Sequence, residues 1–159
     1  MKNIFFISTI IASLLFFSAC NKSENTNSGN SGIEAFAQDE RVPIAVNSLK
    51  KILSQSPNDK NFDKNLFFEE NRKMKKAVLD IYNDYGEENV LKYCTKLSAS
   101  EMPTKNDCCD RNQDGTTNID CCNTWEYFLV AAGTAIRCDS DGPMEGFYDC
   151  VQERVCKNC

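Results

Sequence analysis

Apolar positions recur at helical spacing along most of the chain. Over residues 44–55, Ala45, Leu49, Ile52 and Leu53 fall at offsets 0, 4, 7 and 8. That is one face of a helix beginning just after Pro43, whose ring suits a first turn. The polar stretch "SPND" at 56–59 breaks it. A second stripe over 66–85 runs through Phe67, Met74, Val78, Ile81, Tyr82 and Tyr85, with Gly86 placed as a C-terminal stop. A third, over 87–97, sets Val90, Leu91, Cys94 and Leu97 on one side. Asn123 or Thr124 is placed to cap a fourth helix reaching about residue 137, with Trp125, Phe128, Leu129, Ala132 and Ile136 as its apolar face. Its segment "AAGTA", 131–135, is small throughout and predicts the close approach of another backbone. After the turn "DSDGP" at 139–143, Phe147, Val151 and Val155 predict a last short helix. Alternating strand patterns are scarce, and no repeat is present. The expected fold is all-α.

The first twenty residues follow a different logic. A short basic start, Met1-Lys2-Asn3, precedes the uncharged run "IFFISTIIASLLFF" at 4–17, which has signal-peptide length and is short for a membrane span. The run ends in "FSAC", an apolar residue, two small ones and Cys20. This resembles the lipobox of bacterial lipoproteins. The resemblance implies that the Cys20 sulfur receives a diacylglyceryl group, that the leader is removed, and that Cys20 becomes the new N-terminus. More than one acyl chain anchors a protein stably, so a membrane is an expected partner and a bacterial cell envelope the expected location. The next stretch, "NKSENTNSGNSG" at 21–32, has no large apolar residue and reads as a flexible tether. The expected division is therefore a signal peptide (1–19), lipidated Cys20 with its tether (20–33), and one helical domain (34–159) that is cysteine-rich from 94 onward.

Charge refines the picture. The chain has 18 basic and 23 acidic side chains, a net charge of −5. Over residues 21–106 the two signs balance at 13 each, so the acidic excess lies wholly in the cysteine-rich part. Such a surface argues against nucleic acid as a partner and favours cations or a basic protein patch.

Of ten cysteines, Cys20 belongs to the anchor. The other nine are Cys94, Cys108, Cys109, Cys121, Cys122, Cys138, Cys150, Cys156 and Cys159. In an exported chain that cluster reads as a disulfide framework of four bridges and one leftover thiol, with no pairing assignable from sequence. Adjacent cysteines rarely close on each other, so Cys108 and Cys109 should reach different partners, as should Cys121 and Cys122. Cys94 is expected to tie its helix to the stapled region. The alternative, a thiolate metal cluster, requires a reducing compartment or dedicated delivery; mixed Cys/His zinc patterns are excluded because the chain has no histidine.

Between the paired cysteines lies "DRNQDGTTNID", 110–120. Asp110, Asn112 and Asp114 match positions one, three and five of an EF-hand-like calcium loop, and Gly115 matches the sharp turn at six. Thr116 would offer its carbonyl at seven, and Asn118 stands at nine. The loop followed by a helix from Asn123 resembles dockerin-like calcium loops. Two positions depart from the pattern. Thr117 replaces an aliphatic residue, and Cys121 stands where the bidentate acid belongs, with Asp120 one place early as the nearest substitute. Weak, structural calcium binding and a hydrated Asx-rich turn both remain open.

Catalytic chemistry is poorly represented. Without histidine there is no Ser-His or Cys-His nucleophile, and no GxSxG, P-loop or dinucleotide-binding glycine pattern occurs. Carboxylates are abundant, but nothing singles out an acid pair. The terminal "CKNC", Cys156 to Cys159, follows a helix, where the dipole disfavours a thiolate, so structural bridging is the better reading. Trp125, Tyr127, Phe128, Phe147 and Tyr148 read as core. The expected function is a membrane-anchored binding or interaction module with an unknown protein or small ligand as partner. The alternatives are a toxin-like or bacteriocin-like cysteine-rich factor released by cleavage within "SASEMPTK", 98–105, and a thiol redox protein using the odd cysteine.

Overall fold

A computed structural model describes residues 28–55, 58, 60–101 and 122–159, with side chains from residue 31 onward. Among these residues the fold is all-α: α1 (Ser28–Ala37), α2 (Arg41–Leu53), α3 (Lys64–Tyr85), α4 (Glu87–Ser98), α5 (Thr124–Arg137) and α6 (Met144–Asn158).

The helix boundaries follow from local chemistry. The Asp39 carboxylate, one residue before the N-cap Glu40, accepts from the Arg41 backbone N–H at 2.9 Å, and α2 opens two residues before Pro43 instead of after it. Proline is tolerated there because a first-turn N–H has no helical acceptor. Asp63 caps α3 by accepting from the N–H groups of Asn65 and Leu66. Gly86 ends α3 at φ +80°, a backbone conformation that side-chain-bearing residues rarely adopt, and α4 begins at once. Asn123 caps α5 in a reciprocal box with Glu126: its side chain accepts from the N–H groups of Trp125 and Glu126, and the Glu126 carboxylate accepts from its backbone N–H at 2.8 Å. The Asn123 side-chain amide also donates to Ser98 Oγ at 2.8 Å, fixing the start of α5 to the end of α4.

Helices α2 and α3 form an antiparallel pair: Arg41 meets Asp84 at one end, while Ser48 and Lys51 meet Glu70 nearer the other. α5 is the central element and packs on α2, α3, α4 and α6. Its buried face, from Trp125 through Tyr127, Phe128, Val130 and Ala131 to Thr134, makes the middle of the core. Phe67 and Phe147 meet edge to face at 4.9 Å, and the Tyr148 hydroxyl donates to the Ile52 carbonyl at 2.9 Å, tying α6 to the α2–α3 pair. Burial of the aromatic residues named from the sequence agrees with their reading as core.

Helix α1 departs from the sequence reading. Residues 28–33, assigned above to the tether, form its first turns, and Ile33, like Phe36 after it, is buried. Phe36 packs between the rings of Tyr85, Tyr93, Trp125 and Phe128. One fully buried aromatic ring offsets the poor helix propensity of a Gly/Ser/Asn-rich start. α6 is likewise longer than the three apolar positions suggested, at 15 residues. Among the described residues, no helix is long and apolar enough to cross a membrane.

Candidate functional site

The described cysteines divide into two bridges and two thiols. Cys138–Cys150 closes the α5–α6 turn, and Cys122–Cys159 joins the start of α5 to the end of α6, so the antiparallel pair is pinned at both ends. Cys94 and Cys156 are unbridged. Two thiols exceed the single leftover expected from four bridges, and Cys94 does not covalently tie α4 to the stapled region. It lies fully buried beside Tyr82, on the face by which α4 joins the core. Burial pushes its thiol up to about 12, which makes it an inert packing group. The terminal "CKNC" is not closed on itself: Cys159 is bridged to Cys122, while Cys156, one turn earlier, is an exposed thiol that accepts a hydrogen bond from the Gln152 amide.

Several sequence-derived sites lie outside the described residues: Cys20; Cys108, Cys109 and Cys121; the calcium-loop positions Asp110, Asn112, Asp114, Thr116, Asn118 and Asp120; and residues 102–105 of the cleavage segment. Among the described residues no group of three or more metal-ligating side chains converges.

Two polar clusters bind α2 to its neighbours. Glu70 is buried between α2 and α3; burial raises its carboxyl, but the Ser48 hydroxyl and the Lys51 and Lys73 ammonium groups outweigh this and hold it below the usual carboxylate range. At the α1–α2 corner, Asp39 accepts from the Arg41 guanidinium and the Tyr85 hydroxyl, and Arg41 also reaches Asp84. The Arg41 guanidinium holds the Asp39 carboxyl below its ordinary value. Every charge in these clusters is met inside the fold, so both read as structural.

A groove between α4, α5 and α6 is different. It has a volume of about 230 Å³ and lies over α5, between α4 and α6. On α5, Leu129, Ala132, Gly133 and Ile136 recur at helical spacing, and the small pair in the middle forms the floor. Arg154, Lys157 and Asn158 of α6 make one wall; Glu87 and Leu91 of α4, with Tyr82 of α3, make the other. Leu91 and Ile136 stand 45% and 50% exposed at the rims. Burial, with smaller contributions from Glu87 and Cys94, pushes the Tyr82 hydroxyl up to about 12, so it stays protonated and able to donate.

The floor explains "AAGTA" differently from the sequence reading. A Cβ on Gly133 would stand 3.1 Å from Cδ of Arg154, so the glycine admits the aliphatic stem of an arginine, not a second backbone. Arg154 is held against the floor with its side chain 15% exposed, and its Nε is buried with no hydrogen-bond partner. Its Nη2 reaches Glu153 only at 3.4 Å. The chain has four basic residues beyond 106, namely Arg111, Arg137, Arg154 and Lys157, and three of them line this groove. Glu87 is the one carboxylate in its walls. Sequence reasoning missed the site; small residues at 131–135 were its signal, but the basic partners come from another helix.

A larger concavity of about 580 Å³ lies along the outer face of α3, with Phe68, Arg72, Lys73 and Lys76 in its wall. Among the described residues a single helix lines it. Lys73 is already bonded to Glu69 and Glu70, and Lys76 to Asp80, leaving less unmet charge than in the α4–α6 groove. Compared with known proteins, the chain matches no family model, no curated protein and no solved structure.

Proposed function

We propose that the protein is a lipid-anchored module of the bacterial cell envelope whose helical domain binds a partner through the α4–α5–α6 groove. The observation that carries the reading is the gathering of Arg137, Arg154 and Lys157 beside exposed Leu91 and Ile136, in the part of the chain that is otherwise acidic. The groove offers cations, a protonated phenol and aliphatic surface, which is equipment for holding an anion next to an apolar group. The leader ending in "FSAC" supports the anchor, and the two bridges suit an oxidising compartment.

The test has two parts. Cys20→Ser should release the exported protein from the membrane fraction; retention as firm as the parent's would overturn the anchor. A photo-crosslinking residue at Ile136 should trap a defined partner in intact cells, and one at Phe68 should not. Equal yields from both positions would remove the groove from the account.

A second reading rests on Cys156. Its thiolate stands one helical turn from Cys159 and could attack that sulfur, forming Cys156–Cys159 and releasing Cys122 as the thiolate leaving group. The exchange is electron-neutral and needs no external oxidant. Alkylation of the native protein followed by peptide mapping tests it: label at both Cys156 and Cys122 supports exchange, and label at Cys156 without Cys122 excludes it.

A further inference from the structure

We infer that the α4–α5–α6 groove takes a short extended segment of a partner protein in which carboxylate side chains are flanked by aliphatic ones. This rests on the binding-module reading above and names the chemistry of the partner. Charge supplies the first argument. The acidic excess of the chain lies beyond residue 106, yet three of that region's four cations line the groove, with Glu87 the one carboxylate in its walls and Glu153 at its edge, 3.4 Å from Arg154. Within that otherwise acidic region the groove is where a carboxylate is least repelled.

Arg154 supplies the second argument. Its stem lies on Gly133, its Nε is buried without a partner, and its nearest carboxylate, Glu153, is at 3.4 Å and 70% exposed. A guanidinium held flat by its stem loses little freedom on forming a paired hydrogen bond, and a planar carboxylate matches its fork. Arg137 and Lys157 stand beside it to neutralise a second acid. The aliphatic flanks of the segment then cover Leu91 and Ile136, which project from the rims.

Size decides between a peptide and a small molecule. Small-ligand sites enclose most of their ligand in about 300–1,000 Å³. This groove is smaller, at about 230 Å³, and runs open along α5. It suits the side chains of a few residues of a longer chain whose remainder stays in solvent. Nucleic acid is disfavoured by the net charge of −5.

Fluorescence anisotropy on the oxidised mature chain in detergent tests the inference, independently of whether the chain is anchored in cells. The probe is a labelled hexapeptide, Leu-Glu-Ile-Glu-Leu-Glu, beside one counterpart with Lys for Glu and another with Ser for Leu and Ile. The acidic aliphatic peptide should bind, both counterparts should bind at least about tenfold more weakly, and affinity should fall as salt is raised. The double variant Arg137→Gln/Arg154→Gln should lose about tenfold or more, and Leu91→Ser, at an exposed position, a smaller factor. Gly133→Ala, which keeps every charge but crowds the Arg154 stem, should also weaken binding; circular dichroism confirms that each variant is folded. Equal binding of the three peptides, an unchanged affinity in the double-arginine variant, or no binding at about 1 mM peptide would overturn the inference. So would arginine-dependent pelleting with phosphatidylglycerol vesicles without peptide binding, since the groove would then serve a membrane surface.

Discussion

The α2–α3 pair contains no cysteine and holds a buried carboxylate, Glu70, between Ser48, Lys51 and Lys73, with a second, part-buried carboxylate, Asp39, held by Arg41 and Tyr85 at the corner before α2. The α5–α6 pair has no comparable buried ion cluster among the described residues and is closed by two nested bridges. Both pairs are antiparallel, and both pack on the central helix α5 or include it. The difference lies in what resists opening. In one half a buried carboxylate must be kept company; in the other the unfolded chain is restrained before any contact forms. The groove lies on the stapled half. That placement lets Gly133 and Arg154 keep a close contact across two helices that could otherwise slide.

Breaking the bridges should have the largest effect. By the loop-entropy argument, separations of 12 and 37 residues correspond to about 3 and 4 kcal/mol, reduced somewhat by nesting. Cys138→Ser/Cys150→Ser should therefore lower the denaturant midpoint strongly, as read by unfolding in guanidinium. It should also raise hydrogen exchange in α6 far more than in α2.

Emptying the other half's polar cluster comes next. Glu70→Ala leaves the buried Ser48 hydroxyl without its acceptor and removes the anchor of Lys51 and Lys73, at a cost of about 1–3 kcal/mol. Thermal melts of Glu70→Ala beside Glu70→Gln, which retains an acceptor for Ser48, should show the glutamine variant losing less.

Acid sharpens the same contrast. Glu70 and Asp39 are both held below their ordinary values of 4.5 and 3.8. A carboxyl depressed by folding contributes stability that is present above its unfolded pKa and is lost as pH falls through its folded pKa. Stability should thus hold above about pH 5 and fall below pH 4.5, with amide protection in α2 and α3 declining before that in α5 and α6. Simultaneous loss in both pairs would show that the carboxylates do not govern the first step.

How much of this was legible in the sequence depends on whether a signal was local. Gly86 as a stop, Asn123 as a cap and the apolar stripe of α3 need only neighbours in the chain and were readable; the stripes of α4 and α5 were readable in part, because Leu91 and Ile136 stand exposed while Tyr127, Val130, Ala131 and Thr134 take buried places. Helix α1 was not, because its reason to exist is distant: Phe36 is held by rings from α3, α4 and α5. Cys94 looked like a staple by composition but belongs to the core by position. The groove was half legible. Small residues at 131–135 announced a close contact, and only tertiary structure could say that Arg154 fills it.

The smallest expected effect concerns residues 110–120, where Asp110 and Asp114 match ligand positions of a calcium loop in the sequence. With affinity in the weak extracellular range of about 0.1–1 mM, several millimolar calcium should stabilise the oxidised domain by about 1–2 kcal/mol. An Asp110→Ala/Asp114→Ala variant should show no such gain by calorimetry. Equal melting temperatures with and without calcium in the parent chain would leave only a polar turn.

Hydrogen exchange followed by mass spectrometry, on the oxidised protein and again after reduction at neutral pH, tests most directly whether the two halves are held by different chemistry. Protection should collapse in α6 and in the first turns of α5 on reduction, while α2 and α3, with Glu70 still paired, should keep measurable protection. Uniform loss across all the helices, or no change in α6, would contradict the account.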